Sequence, residues 1–220
     1  MPSTARQYQG ESAENRARAR RQKLIESGFE LMSASGWRHV TIDSLCQAAK
    51  LNKRYFYESF ADLDALADAV VDDLASSLLS LGLAAAQSAQ SAGMSTEALA
   101  RHVMGSVIGW LVEDPRRARV LFSEVNHSAR AMDQRKFVIR QLAHELTVFS
   151  HKYHGATQSH PIAQAGAALL IGGSIETLLS WLDDDIGMSQ EELVDAVARF
   201  WVAIGNAAIA TVQAGPTDHP

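Results

Sequence analysis

A single cysteine in 220 residues excludes an internal disulfide, and no Cys/His spacing suited to zinc occurs. Proline is scarce, with five in the chain, so long helices can run with few breaks. No Gly-rich phosphate loop, nucleophile elbow or helix-borne HExxH motif is present. An enzyme reading therefore has no chemistry to rest on: no catalytic residue, cofactor or metal ligand is assigned. Strand-like alternation and internal repeats are missing as well. The N-terminal segment lacks the apolar stretch of a secretory signal, and residues 1–15 read as a flexible arm. The chain's character is that of a cytoplasmic protein.

What is present is helical and uneven in charge. With 47% hydrophobic and 20% charged residues, the chain can bury one substantial core and a small satellite domain. Residues 1–60 hold ten Lys/Arg and six Asp/Glu, a balance of +4, whereas residues 61–220 hold ten and nineteen, a balance of −9. A polyanion is attracted to one end only. Arg16, Arg18, Arg20, Arg21 and Lys23 form the densest basic cluster, a solvated helix face or a set of phosphate contacts.

Residues 41–60, TIDSLCQAAKLNKRYFYESF, predict two short helices joined by a tight turn. Thr41 caps the first, whose apolar stripe is Ile42, Leu45, Cys46 and Ala49. Cys46 is expected as a packing residue rather than a redox sensor. Lys50 and Leu51 make the turn, with Leu51 as its buried plug, and Asn52 caps Lys53 to Ser59. Phe56 and Phe60 then face inward, leaving Lys53, Arg54, Tyr55 and Tyr57 to face a groove.

On these residues, the run from about Arg18 to Val71 resembles the DNA-binding domain of the TetR family of bacterial transcriptional regulators. Gly36 after the first helix, Thr41, Ala48 and Ala49, then Phe56-Tyr57 and Phe60 carry the likeness. It implies an all-α protein with an N-terminal three-helix helix-turn-helix domain (16–61), a connecting helix (62–87), a ligand-binding and dimerisation domain (88–215) and a short tail (216–220). It also implies a repressor that leaves a palindromic double-stranded operator when a small apolar or amphipathic ligand binds. DNA contacts fall to Thr41, Asn52, Lys53, Arg54, Tyr55 and Tyr57. There are departures: Lys50 stands where the family usually has glycine, Glu58 where histidine is frequent, and Ala61-Asp62-Leu63-Asp64 where a phosphate-holding lysine is expected. They suggest an alternative, an all-helical interaction module that has lost DNA binding.

Helix one is expected over Arg16 to Ala34 and helix four over Asp62 to Gln87, with a loop at Ser88 to Gly93. Further helices follow from Ser95 to Glu113, from Asp114-Pro115, and from Met132 to His154, where Gly155 stops the helix. The apolar stretch Ile162 to Leu182 is interrupted by Gln164 and Glu176 and ends in three aspartates, so a buried helix is expected and not a membrane span. The last helix, from Gln190 to Ala214, opens with a Ser189/Glu192 capping box. Small residues on these two helices suggest a homodimer interface at Gly166, Leu169, Gly173, Phe200, Ile204 and Ala207, or an intrachain pair. The resemblance implies a ligand cavity among the middle helices. Its candidate lining is Trp110, Leu111, Phe122, Phe137, Phe149, Leu178 and Trp181, with His102, Asn126, Arg140 and Glu176 as polar anchors. Glu176 can orient a ligand or edge the dimer contact. His144, His151 and His154 share a helix face, read as solvated rather than metal-binding.

Overall fold

The computed structural model describes residues 12–122, 129–154 and 161–214. Among them are nine α-helices and no strand: α1 Ala13–Ser35, α2 Ile42–Ala49, α3 Lys53–Ser59, α4 Leu63–Ser91, α5 Thr96–Glu113, α6 Pro115–Phe122, α7 Ala129–His154, α8 Pro161–Leu182 and α9 Gln190–Ala214. The chain divides into two compact units, 1–73 and 74–220, and the division falls within α4.

The first unit is built on aromatic and aliphatic anchors. Leu24, Ile25 and Met32 of α1, Leu45, Cys46 and Ala49 of α2, Phe56 and Phe60, and Leu66, Ala69, Val70 and Val71 of α4 are buried. α1 starts three residues earlier than the basic cluster suggests, because the Ser12 side chain accepts from the Asn15 amide and caps it. Gly28 lets α1 lie against α4: a Cβ there would sit 3.0 Å from Val70 Cγ2. Between α1 and α2 the chain makes one 3-10 turn, Trp37–His39, after Gly36 at φ 74°.

The second unit packs α5 on α9, α7 on α8, and α8 on both α9 and α6. Arg101 of α5 ties to Glu191 and Asp195 of α9, both at 3.0 Å. Trp201 of α9 donates from Nε1 to Ser174 Oγ of α8 at 2.8 Å, and Trp181 Nε1 donates to the Met188 carbonyl at 2.7 Å, holding the connection after α8. The capping box of α9 forms: Ser189 Oγ accepts from the Glu192 amide, and the Glu192 carboxylate accepts from the Ser189 amide. That contact holds the Glu192 carboxyl below its ordinary value, the backbone donor contributing most.

Several boundaries differ from expectation. α4 continues four residues past Gln87, because Ala85, Ala86 and Ala89 are buried and carry the helix through a stretch that reads locally as loop. α7 begins at Ala129 rather than Met132. α4, α8 and residues 190–211 of α9 are each long and apolar enough to cross a membrane. Gln164 and Glu176 break the uninterrupted apolar run of α8, yet its whole length and mean composition still reach what a span requires. Here each of these helices buries one side in protein: Leu66 and Val70, Leu170 and Leu178, Leu193 and Val197.

Candidate functional site

The tandem helices are locked by local chemistry. Thr41 Oγ1 accepts from the Ser44 amide at 3.1 Å while Ser44 Oγ accepts from the Thr41 amide at 3.0 Å, a reciprocal capping box that opens α2. α2 ends at Lys50 in the left-handed region, φ 54° and ψ 42°. Its amide and that of Leu51 donate back to Gln47 and Cys46, closing the helix as a glycine usually does. Leu51 is half-buried and not a full plug. Asn52 Oδ1 accepts from the Tyr55 amide and starts α3. Phe56, fully buried, fixes which face of α3 turns outward.

That outward face is basic, yet its charges are paired within the unit. Lys53 Nζ lies 2.7 Å from Asp43 Oδ1, and this bond raises the Lys53 amine above its ordinary value. Arg54 Nε donates to Glu58 at 2.9 Å while its side chain stays 83% exposed. Glu58 also draws Arg20 to 3.9 Å, so the carboxylate points sideways into an arginine pair. Arg20 lies over the Tyr55 ring at 4.4 Å and Arg21 over Phe60 at 4.9 Å, which brings the α1 cluster against α3. Tyr55, expected to be free, is half-buried beneath that guanidinium, while Tyr57 is 60% exposed. Burial pushes the Cys46 thiol up, with Asp43 adding and Lys53 opposing. A buried thiol with a raised pKa is a poor nucleophile.

The second unit holds a cavity of about 470 Å³. α4 through α9 all contribute to its lining, which is mainly Leu, Ile, Val, Ala and Gly, with Thr96, Glu145, Thr147, Ser174 and Asn206 as the polar members beside Trp201. Such a volume and polarity match a small-molecule site.

No sequence-family model matches the chain, and no curated protein matches it by sequence. Solved structures do match in shape. A putative TetR-family regulator from Syntrophomonas wolfei has a TM-score of 0.69 at 14% identity, covering 86% of this chain and 96% of the other. Its fold is that of the TetR-family regulators. The fatty acid degradation regulator FadR from Bacillus halodurans gives 0.67 at 13% identity, over 83% and 94% of the two chains. A TetR-family regulator from Streptomyces coelicolor gives 0.65 at 20%, over 92% of each. FadR from Bacillus subtilis, solved in complex with stearoyl-CoA, gives 0.66 at 13%, over 83% and 97%.

Within this TetR-like fold the predicted ligand set separates. Leu111, Phe122 and Leu178 line the cavity. Trp110 does not: Arg117 lies over its ring at 4.6 Å and bonds its carbonyl. Trp181 is turned to Met188, and Phe137, Arg140, His102 and Glu176 are exposed outside the cavity, because helical spacing alone does not say which face a residue takes. Asn126 and the side chains of Phe149, His151 and His154 lie outside the described residues, as do the first eleven residues of the predicted arm and the tail from 216. Among the described residues no three His, Cys, Asp or Glu gather as a metal site.

The predicted interface also splits. Leu169, Gly173, Phe200 and Ala207 are exposed on α8 and α9, whereas Gly166 and Ile204 face each other inside the chain, since a Cβ on Gly166 would lie 3.5 Å from Ile204 Cγ2. Missed by sequence reading were Glu145, the Trp201–Ser174 bond, and the Arg20–Tyr55 and Lys53–Asp43 pairs. All join different elements except Glu145, whose α7 position carries no local signal.

Proposed function

We propose that the protein is a sequence-specific DNA-binding transcriptional regulator, a homodimeric repressor released from a palindromic operator by a small apolar or amphipathic ligand. The observation that carries this reading is the outward face of α3, held on buried Phe56 and presenting Lys53, Arg54 and Tyr57 beside Arg20 and Arg21. Lys53 and Arg54 are assigned to base edges, and Thr41, Asn52 and Tyr57 position the backbone; Tyr55, expected among the base readers, is covered by Arg20 and reaches a base only if that guanidinium moves to DNA. Lys53, Arg54 and Arg20 each trade an intramolecular carboxylate for DNA, which tempers nonspecific attraction.

The proposed homodimer forms through the exposed α8–α9 face, where Leu169 and Phe200 stand 62% and 63% exposed, and each copy brings one α3 to a half-site; successive major grooves of a palindromic operator lie about 34 to 36 Å apart. The cavity supplies the ligand site, and the stearoyl-CoA complex of the Bacillus subtilis neighbour supports an amphipathic occupant. A ligand that binds the state with the wrong groove spacing weakens operator binding by the same factor by which DNA weakens ligand binding. The function is binding linked to binding, in the cytoplasm, without catalysis and without a membrane.

Selection of genomic fragments on purified protein tests the reading. Enrichment of a palindrome, with affinity falling steeply as salt rises, supports it. The pairing of Lys53 with Asp43 and Arg54 with Glu58 favours a second reading, an interaction module that has lost DNA binding. No enrichment and a flat salt response select that alternative.

A further inference from the structure

We infer that the cavity of the second unit selects a lipophilic cation, a long-chain amine or similar amphiphile, with Glu145 as the residue that reads its head group. The inference rests on the cavity being the regulator's ligand site. Among the described lining residues Glu145 is the one ionisable side chain; no Lys, Arg or His stands with it. Two of the lining hydroxyls have partners within the protein: Thr147 Oγ1 donates to the Ala143 carbonyl, and Ser174 Oγ accepts from Trp201. Arg140, on the same helix, is exposed and outside the cavity.

A carboxylate in an apolar surround is stabilised by an opposite charge and repels a like one. An anionic head group, a fatty acid's or an acyl-CoA's, would meet Glu145 with no described cation in the lining to offset it. An ammonium on an alkyl chain places its charge at Glu145 and its chain among Leu, Ile and Val side chains, with both requirements met. Specificity here is as much exclusion of anions as attraction of cations.

Calorimetric titration of the full chain at pH 7.5 with decylamine, decanoate and decanol, all below micelle formation, tests this. Decylamine is expected to bind one site per chain, at least about tenfold tighter than decanoate, with decanol between. Glu145→Gln should bring the amine and carboxylate affinities to within about twofold, and Glu145→Lys should invert the order. Decanoate binding as tightly as the amine, an amine preference surviving Glu145→Gln, or no binding by any of the three overturns the inference. The genomic-fragment selection stands apart: a recovered operator beside a decanoate preference sinks the head-group assignment alone. A clear amine preference beside no operator keeps this inference and sinks the regulator.

Discussion

Lys50 occupies the left-handed region at φ 54°, where a Cβ collides with the neighbouring carbonyl. Replacing it with glycine removes strain of about 1–2 kcal/mol and adds unfolded-chain entropy costing about 0.5–1 kcal/mol. The net expectation is a turn more stable by roughly 0.5–1 kcal/mol. The reporter is local: the Leu51 amide donates across this turn to the Cys46 carbonyl at 2.9 Å, so its hydrogen-exchange protection factor should rise about 2–5-fold in Lys50→Gly. Lys50→Ala removes the same charge and keeps the Cβ, and should show no such gain. Equal protection in the two variants would refute the strain argument, because the effect would then belong to charge. A fall in protection with glycine would refute it more directly.

Arg54→Ala should weaken cognate-duplex binding by about 1–3 kcal/mol and relax preference at one base pair in a mobility-shift series; unchanged affinity removes Arg54 from the base-reading set. Glu58→Gln, which releases Arg54 and Arg20 from a carboxylate, should tighten binding to all duplexes alike, and tightening confined to one sequence would contradict that account. A charged residue at Gly173 or Ala207, both exposed on the α8–α9 face, should give monomers in sedimentation with poor operator binding, while a dimer surviving both changes rejects that interface. Asp114 is held below its ordinary value chiefly by the Arg116 side chain, at 2.8 and 2.9 Å. Its folded pKa lies below its unfolded one, so its stabilisation is present above the ordinary carboxylate range and is lost as pH falls through the folded value. The gap in thermal midpoint between the protein and Asp114→Asn should therefore close in acid, and a gap that persists there counts against the pair.

Much of the helical layout was legible because caps are local. Thr41, Asn52, Ser95 and Ser189 each announce a helix start within three residues of sequence, and each accepts the predicted amide. The same locality explains the misses. Ser88 to Gln90 look like a loop until burial of Ala89 overrides composition, and Ala13 to Asn15 look like an arm until Ser12 caps them. The left-handed turn at Lys50 was foreseeable from the resemblance, which puts a glycine there, though the residue itself argues against it.

The site was legible in proportion to how local its geometry is. Phe56 on α3 and Phe60 just past its end are both buried, and they decide that Lys53, Arg54 and Tyr57 face outward, a result that chain order alone carries. The covering of Tyr55 by Arg20, the pairing of Lys53 with Asp43, and the choice of Glu145 over Glu176 as the cavity's carboxylate depend on elements distant in sequence or on which side of a long helix meets its neighbours. A helix that is apolar nearly all round, as α8 is, supports several rotations with similar local energy. Only packing against α7 and α9 chooses among them, and with that choice come the lining of the cavity and the face left bare.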